Sequence, residues 1–229
     1  LLALVDARGF LRLERYFDKI CRPVLISAFE KDNLPDLAEH LRSRSFRLRD
    51  FVEIMTDTHT YPDAFAGMRQ EMAEARDSVS HDRPIHWKEY MDDLVYTLNF
   101  HAELMPAEDH LALKSVVMPF LMNVIAAMPL PSGEVLMALH DAGILEMITG
   151  RVEILDDQPR GQSTRVVVSN GSHKITTDYR MFIDCGGQKP LEISDYPFDS
   201  LTESGSIRQA RVHFDEPSKA EQAVPKDHH

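Results

Sequence analysis

RVVVSNGSHKITT, residues 165–177, is the stretch whose reading decides the fold. Val166 and Val168 on one side and Ile175 on the other flank Asn170-Gly171, a dipeptide that marks a tight hairpin because both residues tolerate positive φ. Strands are expected over 165–169 and 174–177. Upstream, Val152 and Ile154 alternate with the period of two that a further strand has. Downstream, the apolar run 181–183 reads as a fourth. Four short strands in sequence, joined by brief turns, describe a small β-meander.

The fourth run stops abruptly in MFIDCGGQKP, residues 181–190. Paired glycines after a buried strand let backbone approach a flat or charged ligand with main-chain N–H groups facing it. A plain tight turn uses the same residues, and both readings stand at this point. Cys185 has no Cys-x-x-Cys partner, and Cys21 is distant in sequence. The role of a small buried residue suits it better than that of a nucleophile.

Before the meander the period is helical. Residues 34–41 have a helical apolar spacing, whereas 46–55 mix alternation with a helix start and fit either state. Residues 64–75 are rich in Ala, Glu, Gln and Met, all good helix formers. Pro84 breaks that helix, and 85–103 resume it with Trp87, Tyr90, Met91, Leu94 and Leu98 on neighbouring faces. The broad apolar surface from Leu111 to Ile125 marks another helix, with Pro119 inside it predicting a kink or a split. Pro129-Leu130-Pro131 reads as a connector. Ser132 is placed to N-cap the next helix and Gly143 to close it.

The 229 residues suffice for one large domain or two modest ones, and 43% hydrophobic residues are ample for a core. With 37 acidic side chains against 25 Lys and Arg, the formal charge of -12 speaks against a nucleic-acid backbone as partner. The longest apolar stretch, 115–130, is short for a membrane span and is broken by Pro119 and Pro129. Two cysteines make no disulfide scaffold, so reduced thiols and a cytoplasmic location are expected. The start LLALVDARGF, without initiator Met or secretory leader, reads as the continuation of a longer polypeptide.

Other chemistry-bearing residues lack a constellation. No His-x-x-x-His pair occurs among His59, His81, His86, His101 and His110, so no metal is expected, and capping or surface roles suit them. Arg42, Arg44, Arg47 and Arg49 form a basic island that fits a salt-bridged surface or a contact to a phosphate or partner. Asp92-Asp93 and Asp156-Asp157 are ordinary solvated doublets, and catalytic residues remain unassigned. No strand is followed by the spaced glycines of a dinucleotide fingerprint; Gly67, Gly133 and Gly143 stand alone.

LHDAGILEMITGRVEIL (139–155), the hairpin, and YRMFIDCGGQKPLE (179–192) together resemble the later part of uncharacterised FAD/NAD(P)-binding proteins, relatives of flavin-dependent disulfide reductases and amine monooxygenases. LALKSVVMPFLMNVIAAMPLP (111–131) is similar to that family's helical insertion, and SLTESGSIRQ (200–209) to a substrate-side loop. The resemblance implies that Cys185, Gly186 and Gly187 form the turn beside the cofactor. FAD would be held in a full-length parent, with NAD or NADP as the second cofactor.

The fold class expected is therefore α+β or partial α/β: a helical region followed by a small meander and a strand resembling part of an FAD/NAD(P)-binding fold. Residues 1–138 would be a helical substrate-side or insertion region, 139–214 a small sheet and partial cofactor domain, and 215–229 a flexible tail. The function implied is a segment of an FAD-dependent, nicotinamide-linked oxidoreductase, inactive alone. Its partners would be a missing N-terminal cofactor region or an oligomer partner, with a small-molecule substrate and neither nucleic acid nor membrane. The alternative is a non-catalytic helical/β binding or assembly module, motivated by the apolar run 115–127.

Overall fold

The computed structural model describes residues 1–126, 128–155, 163–186, 192–208 and 213–216. Contacts divide the chain into one unit of Leu1–Met137 with Arg211–His229 and a second of Ala138–Ala210.

The first unit is helical. Helix α1 (Leu13–Tyr16) passes through a π-helical turn (Phe17–Cys21) into α2 (Arg22–Lys31). Then follow α3 (Pro35–Arg42), α4 (Leu48–Thr58), α5 (Ala64–Ser80) and α6 (His86–Asn99). The ambiguous stretch 46–55 resolves as helix for two reasons. Phe51, Val52 and Met55 bury one face of α4, and the Asp50 carboxylate accepts from Arg47 N–H at 2.7 Å at its start. Asp63 caps α5, accepting from Phe65 N–H at 2.8 Å. The cap of α6 comes from elsewhere in the chain: Asp32, just after α2, accepts from the backbone N–H groups of His86 at 3.1 Å and Trp87 at 2.8 Å.

Pro119 neither splits the next helix nor ends it. The chain runs helically through α7 (Ala107–Ala112), a π turn (Leu113–Val117), α8 (Met118–Phe120) and a second π turn (Leu121–Ile125). A proline ring clashes with the carbonyl four residues back, and a widened turn before it removes that clash. Pro23 follows its own π turn in the same way. Helix α9 (Leu130–Asp141) begins ahead of the expected cap at Ser132. The Pro129 carbonyl accepts from Ser132 and Gly133 N–H at 2.9 and 3.1 Å, so Pro131 sits in the first turn, where its missing N–H costs nothing.

The core is aromatic at its centre. Phe51 stands 5.7 Å from Phe17, 6.4 Å from Phe29 and 5.9 Å from Phe120 between ring centroids, and Phe29 continues to Trp87 at 6.1 Å. Leu11, Leu25, Ala28 and Ala38 are fully buried around it. Two polar devices tie elements across this core. Tyr16 Oη donates to the Leu94 carbonyl at 2.7 Å, and Arg22 donates to the carbonyls of Leu41 and Phe46, both at 2.5 Å, holding the loop between α3 and α4. The segment 213–216 returns to this unit. His213 carbonyl accepts from Ala107 N–H at 2.8 Å, Glu108 accepts from Asp215 and Glu216 N–H, and Asp215 pairs with Arg8 and Arg12.

The second unit is an antiparallel meander of β1 (Arg151–Ile154), β2 (Thr164–Asn170) and β3 (His173–Tyr179), in that order. Gly143 enters it with φ +68° and closes α9: its N–H reaches the His140 carbonyl at 2.9 Å and Ile144 N–H the Leu139 carbonyl at 2.9 Å. Asn170 pairs with His173, so the hairpin loop is Gly171-Ser172, one residue later than Asn170-Gly171, with the positive φ of +57° carried by Gly171. A short helix α10 (Asp199–Glu203) follows.

This topology overturns the expected relation to an FAD/NAD(P)-binding fold. A dinucleotide fold needs parallel strands joined by crossover helices, with a crevice at their carboxyl ends. Here every strand pairing among the described residues is antiparallel, the strands lie in chain order β1-β2-β3, and the sheet is open. The apolar run 181–183 forms no strand and is exposed instead. Of the strand expected near 207–212, residues 207 and 208 form no strand, and 209–212 and the tail from 217 onward lie outside the described residues.

Candidate functional site

Cys185 and Gly186 lie in exposed coil, and Gly187 lies outside the described residues. The Gly186 N–H donates to its neighbour Asp184 Oδ1 at 2.8 Å, so one main-chain donor of the turn is satisfied locally.

The flavin and nicotinamide expectation is corrected at the same time. The antiparallel sheet supplies no strand-end crevice for a pyrophosphate, and no dinucleotide motif occurs in the sequence. The rings of Phe17, Phe29, Phe51, Phe120 and Trp87 are packed in the core. The reading as part of a flavoprotein oxidoreductase falls with that topology. Among the described residues no group of three or more His, Cys, Asp and Glu is placed to hold a metal ion.

Of His59, His81, His86, His101 and His110, the first four have a structural explanation. Each of His59, His81 and His101 follows a helix and places Nδ1 near the carbonyl four residues earlier, at 2.7, 3.0 and 3.1 Å. A carbonyl only accepts, so Nδ1 carries the proton in each bond and satisfies a helix-end carbonyl. His86 Nδ1 instead meets Asp32 Oδ1 at 2.6 Å. In the basic island, Arg42 pairs with Glu30 and Glu39, and Arg47 with Glu14 and Asp18. Arg44 and Arg49 are exposed. This is the solvated, salt-bridged surface that such a cluster favours.

Of the concave features in the helical unit, two border α1 and α5. One is an apolar interior space of about 80 Å³ among α1, α6 and the π turns, with Leu25, Phe51, Met91 and Leu121 in its wall. Tyr16 and Cys21 border it. Burial pushes the Cys21 thiol up to about 12 and raises the Tyr16 phenol as well. Both shifts keep the protonated form, the reverse of what an activated nucleophile needs.

The other is an open groove of about 370 Å³ between α5 and the segment joining the second π turn to α9. Gly67 and Gly133 form part of its floor, where no larger side chain fits without movement: an added Cβ would stand 2.3 Å from the Tyr61 ring and 2.8 Å from Met72 Sδ, respectively. His59, Tyr61, Glu71 and Lys88 bring polar atoms to it, and Met68, Met128 and Leu130 give apolar wall. Burial, then the charge of Glu71, raises the Tyr61 phenol. These residues come from four separate segments, so no local motif announces them. The one signal in the sequence is a glycine inside each of two helices, a sign of close approach.

The apolar run 115–127 is largely consumed by the protein's own core: Val117, Phe120, Leu121 and Val124 are buried. Leu111, Met118 and Met122 remain outward. Among the described residues no single helix is long and apolar enough to cross a membrane. The bent pair Ala107–Ile125 and Leu130–Asp141 meets the test of length and composition only when its two helices are taken together.

The meander carries a different surface. Its register aligns Val152, Val168 and Ile175 on one face, next to Ile154, Val166 and Thr177. Val166 is buried, but Val152, Ile154 and Ile175 on the outer strands are 53%, 47% and 51% exposed. Met181, Phe182 and Ile183 add a second exposed apolar stretch to this unit.

The class so defined is a helical domain linked to an open antiparallel meander, presenting a groove and an apolar face. The chain belongs to the YdhS-like middle domain family, which matches residues 3–125, the helical part. It is 24% identical over 177 residues to the uncharacterized protein YdhS of Escherichia coli (strain K12), an alignment covering 74% of this chain and 31% of that protein. The chain thus spans less than a third of the length of that curated relative. No solved structure matches it.

Proposed function

We propose that this chain is a non-catalytic binding and assembly module whose sheet face holds a second copy of the chain. One observation carries the reading: the outer strands of an open sheet leave Val152, Ile154 and Ile175 half exposed on a single face. Apolar side chains aligned this way lose solvent contact favourably when a matching surface covers them. The aligned Val152, Val168 and Ile175 are uncharged, so a copy related by a two-fold axis meets no like-charge repulsion from them. Among the described residues β1 and β3 each pair with β2 alone, so their outer edges offer backbone pairing as well.

The rest of the surface supports a protein partner over a polyanion, because the chain carries a formal charge of -12. A free, exposed Cys185 suits the reducing cytoplasm. Membrane attachment is not part of the reading.

The test compares the parent chain with an Ile154→Lys, Ile175→Lys double variant by light scattering after size exclusion. The parent is expected at twice the 26.1 kDa chain mass and the variant at the chain mass. A double variant that stays dimeric removes the sheet face from the interface and refutes the proposal.

A further inference from the structure

We propose that the groove between α5 and α9 is a binding site for a small organic amine with an apolar body, its ammonium group held by Glu71. This site lies wholly within the helical unit and does not depend on the sheet face. Its volume, about 370 Å³, falls in the range of small-molecule pockets. Met68, Met72, Met128 and Leu130 supply an apolar wall that is mostly thioether, a side chain that adapts to ligand shape.

The polar groups choose the sign of the ligand. Lys88, the one Lys or Arg among the described residues of the lining, is already engaged: Nζ stands 3.3 Å from Glu74 and 5.5 Å from the centre of the Trp87 ring. The Nδ1 proton of His59 is spent on the Met55 carbonyl at 2.7 Å, which leaves the neutral ring only Nε2, an acceptor. Glu71 receives the Tyr61 hydroxyl at 3.4 Å, a long bond, and no Lys or Arg pairs with it among the described residues. The charges of Glu71 and Glu74 also act on Tyr61, raising its phenol after burial has done so first. Among the described lining residues, Glu71 is therefore the charge without a counter-ion, and a carboxylate ligand would be repelled by it. An ammonium ion would complete a charge-assisted bond there.

The chain reports on its own groove. Trp87 is the sole tryptophan, and two groove residues touch its ring: His59 at 5.4 Å between centroids and Lys88 above its face. Tryptophan emission can therefore be titrated with 2-phenylethylamine and with 3-phenylpropionate, a pair of similar body and opposite charge, at pH 7. The amine is expected to give a saturable change and to bind at least tenfold tighter than the carboxylate. Glu71→Gln should weaken the amine at least tenfold with the far-ultraviolet spectrum unchanged, and Met68→Ala should weaken it severalfold. Equal binding of the two probes, no saturable change with the amine, or an amine affinity indifferent to Glu71→Gln would each overturn the assignment. Should Glu71→Gln fail to fold, the probe preference and Met68→Ala decide alone.

Discussion

Gly67 and Gly133 occupy the same position in two helices, and replacing each by alanine should have unequal consequences. Gly67 N–H bonds the Asp63 carbonyl at 3.0 Å, and Gly133 N–H the Pro129 carbonyl at 3.1 Å, four residues back in each case. Neither has a positive φ. Alanine is favoured over glycine within a helix by roughly 0.5–1 kcal/mol, and this gain is common to both sites. What differs is the neighbour. At position 67 the new Cβ would lie 2.3 Å from Tyr61 Cδ2, 2.5 Å from Cγ and 2.9 Å from Cβ. Rotating the ring cannot move Tyr61 Cβ, so backbone must shift, at an overpacking cost of about 1–3 kcal/mol. At position 133 the contacts are Met72 Sδ at 2.8 Å and Cε at 3.2 Å, the far end of a side chain with three rotatable bonds. Gly67→Ala should therefore lose about 1–2 kcal/mol, whereas Gly133→Ala should stay within about 0.5 kcal/mol of the parent. Guanidinium titrations followed by circular dichroism at 222 nm measure both. If Gly67→Ala proved as stable as Gly133→Ala, the close approach of Tyr61 to α5 would be refuted.

Three further outcomes follow from part-buried Asp32 and the two cysteines. Asp32→Ala removes two backbone bonds at the start of α6 and the partner of His86, and should cost about 1–3 kcal/mol in the same titration; a loss below about 0.5 kcal/mol would remove Asp32 as the cap of α6. The Cys21 thiol, held at about 12 against an ordinary 9.0, keeps its proton in the folded chain where the unfolded chain releases it. Its contribution is thus complete below pH 9 and is lost as pH rises from 9 towards 12, so the parent should lose more stability over that window than Cys21→Ala. Alkylation at pH 8 should modify exposed Cys185 quickly and Cys21 only on unfolding. Equal rates would contradict the burial.

The local signals read from the sequence were those with a local cause. Asn170-Gly171 announces a hairpin because positive φ is cheap there, though the loop settles one residue later on Gly171-Ser172. Gly143 closes α9 for the same reason. Residues 46–55 were undecidable because Phe46 and Leu48 alternate, and burial of Phe51 and Met55 beneath neighbouring helices is what selects helix. Pro119 suggested a break because sequence does not show a π turn widening to accept it. The resemblance to flavin-binding proteins misled because it rested on the order helix, glycine, strand, hairpin, strand. That order is common to parallel and antiparallel arrangements until the connections are known. The groove was invisible because His59, Glu71, Lys88 and Gly133 meet only through tertiary packing.

The central claim, that a half-exposed sheet face is completed by a second chain, is tested most directly by sedimentation equilibrium of the parent protein over a wide concentration series. The account predicts a mass that rises from 26.1 kDa to twice that value as concentration increases. A mass fixed at that of one chain across the whole series would contradict it.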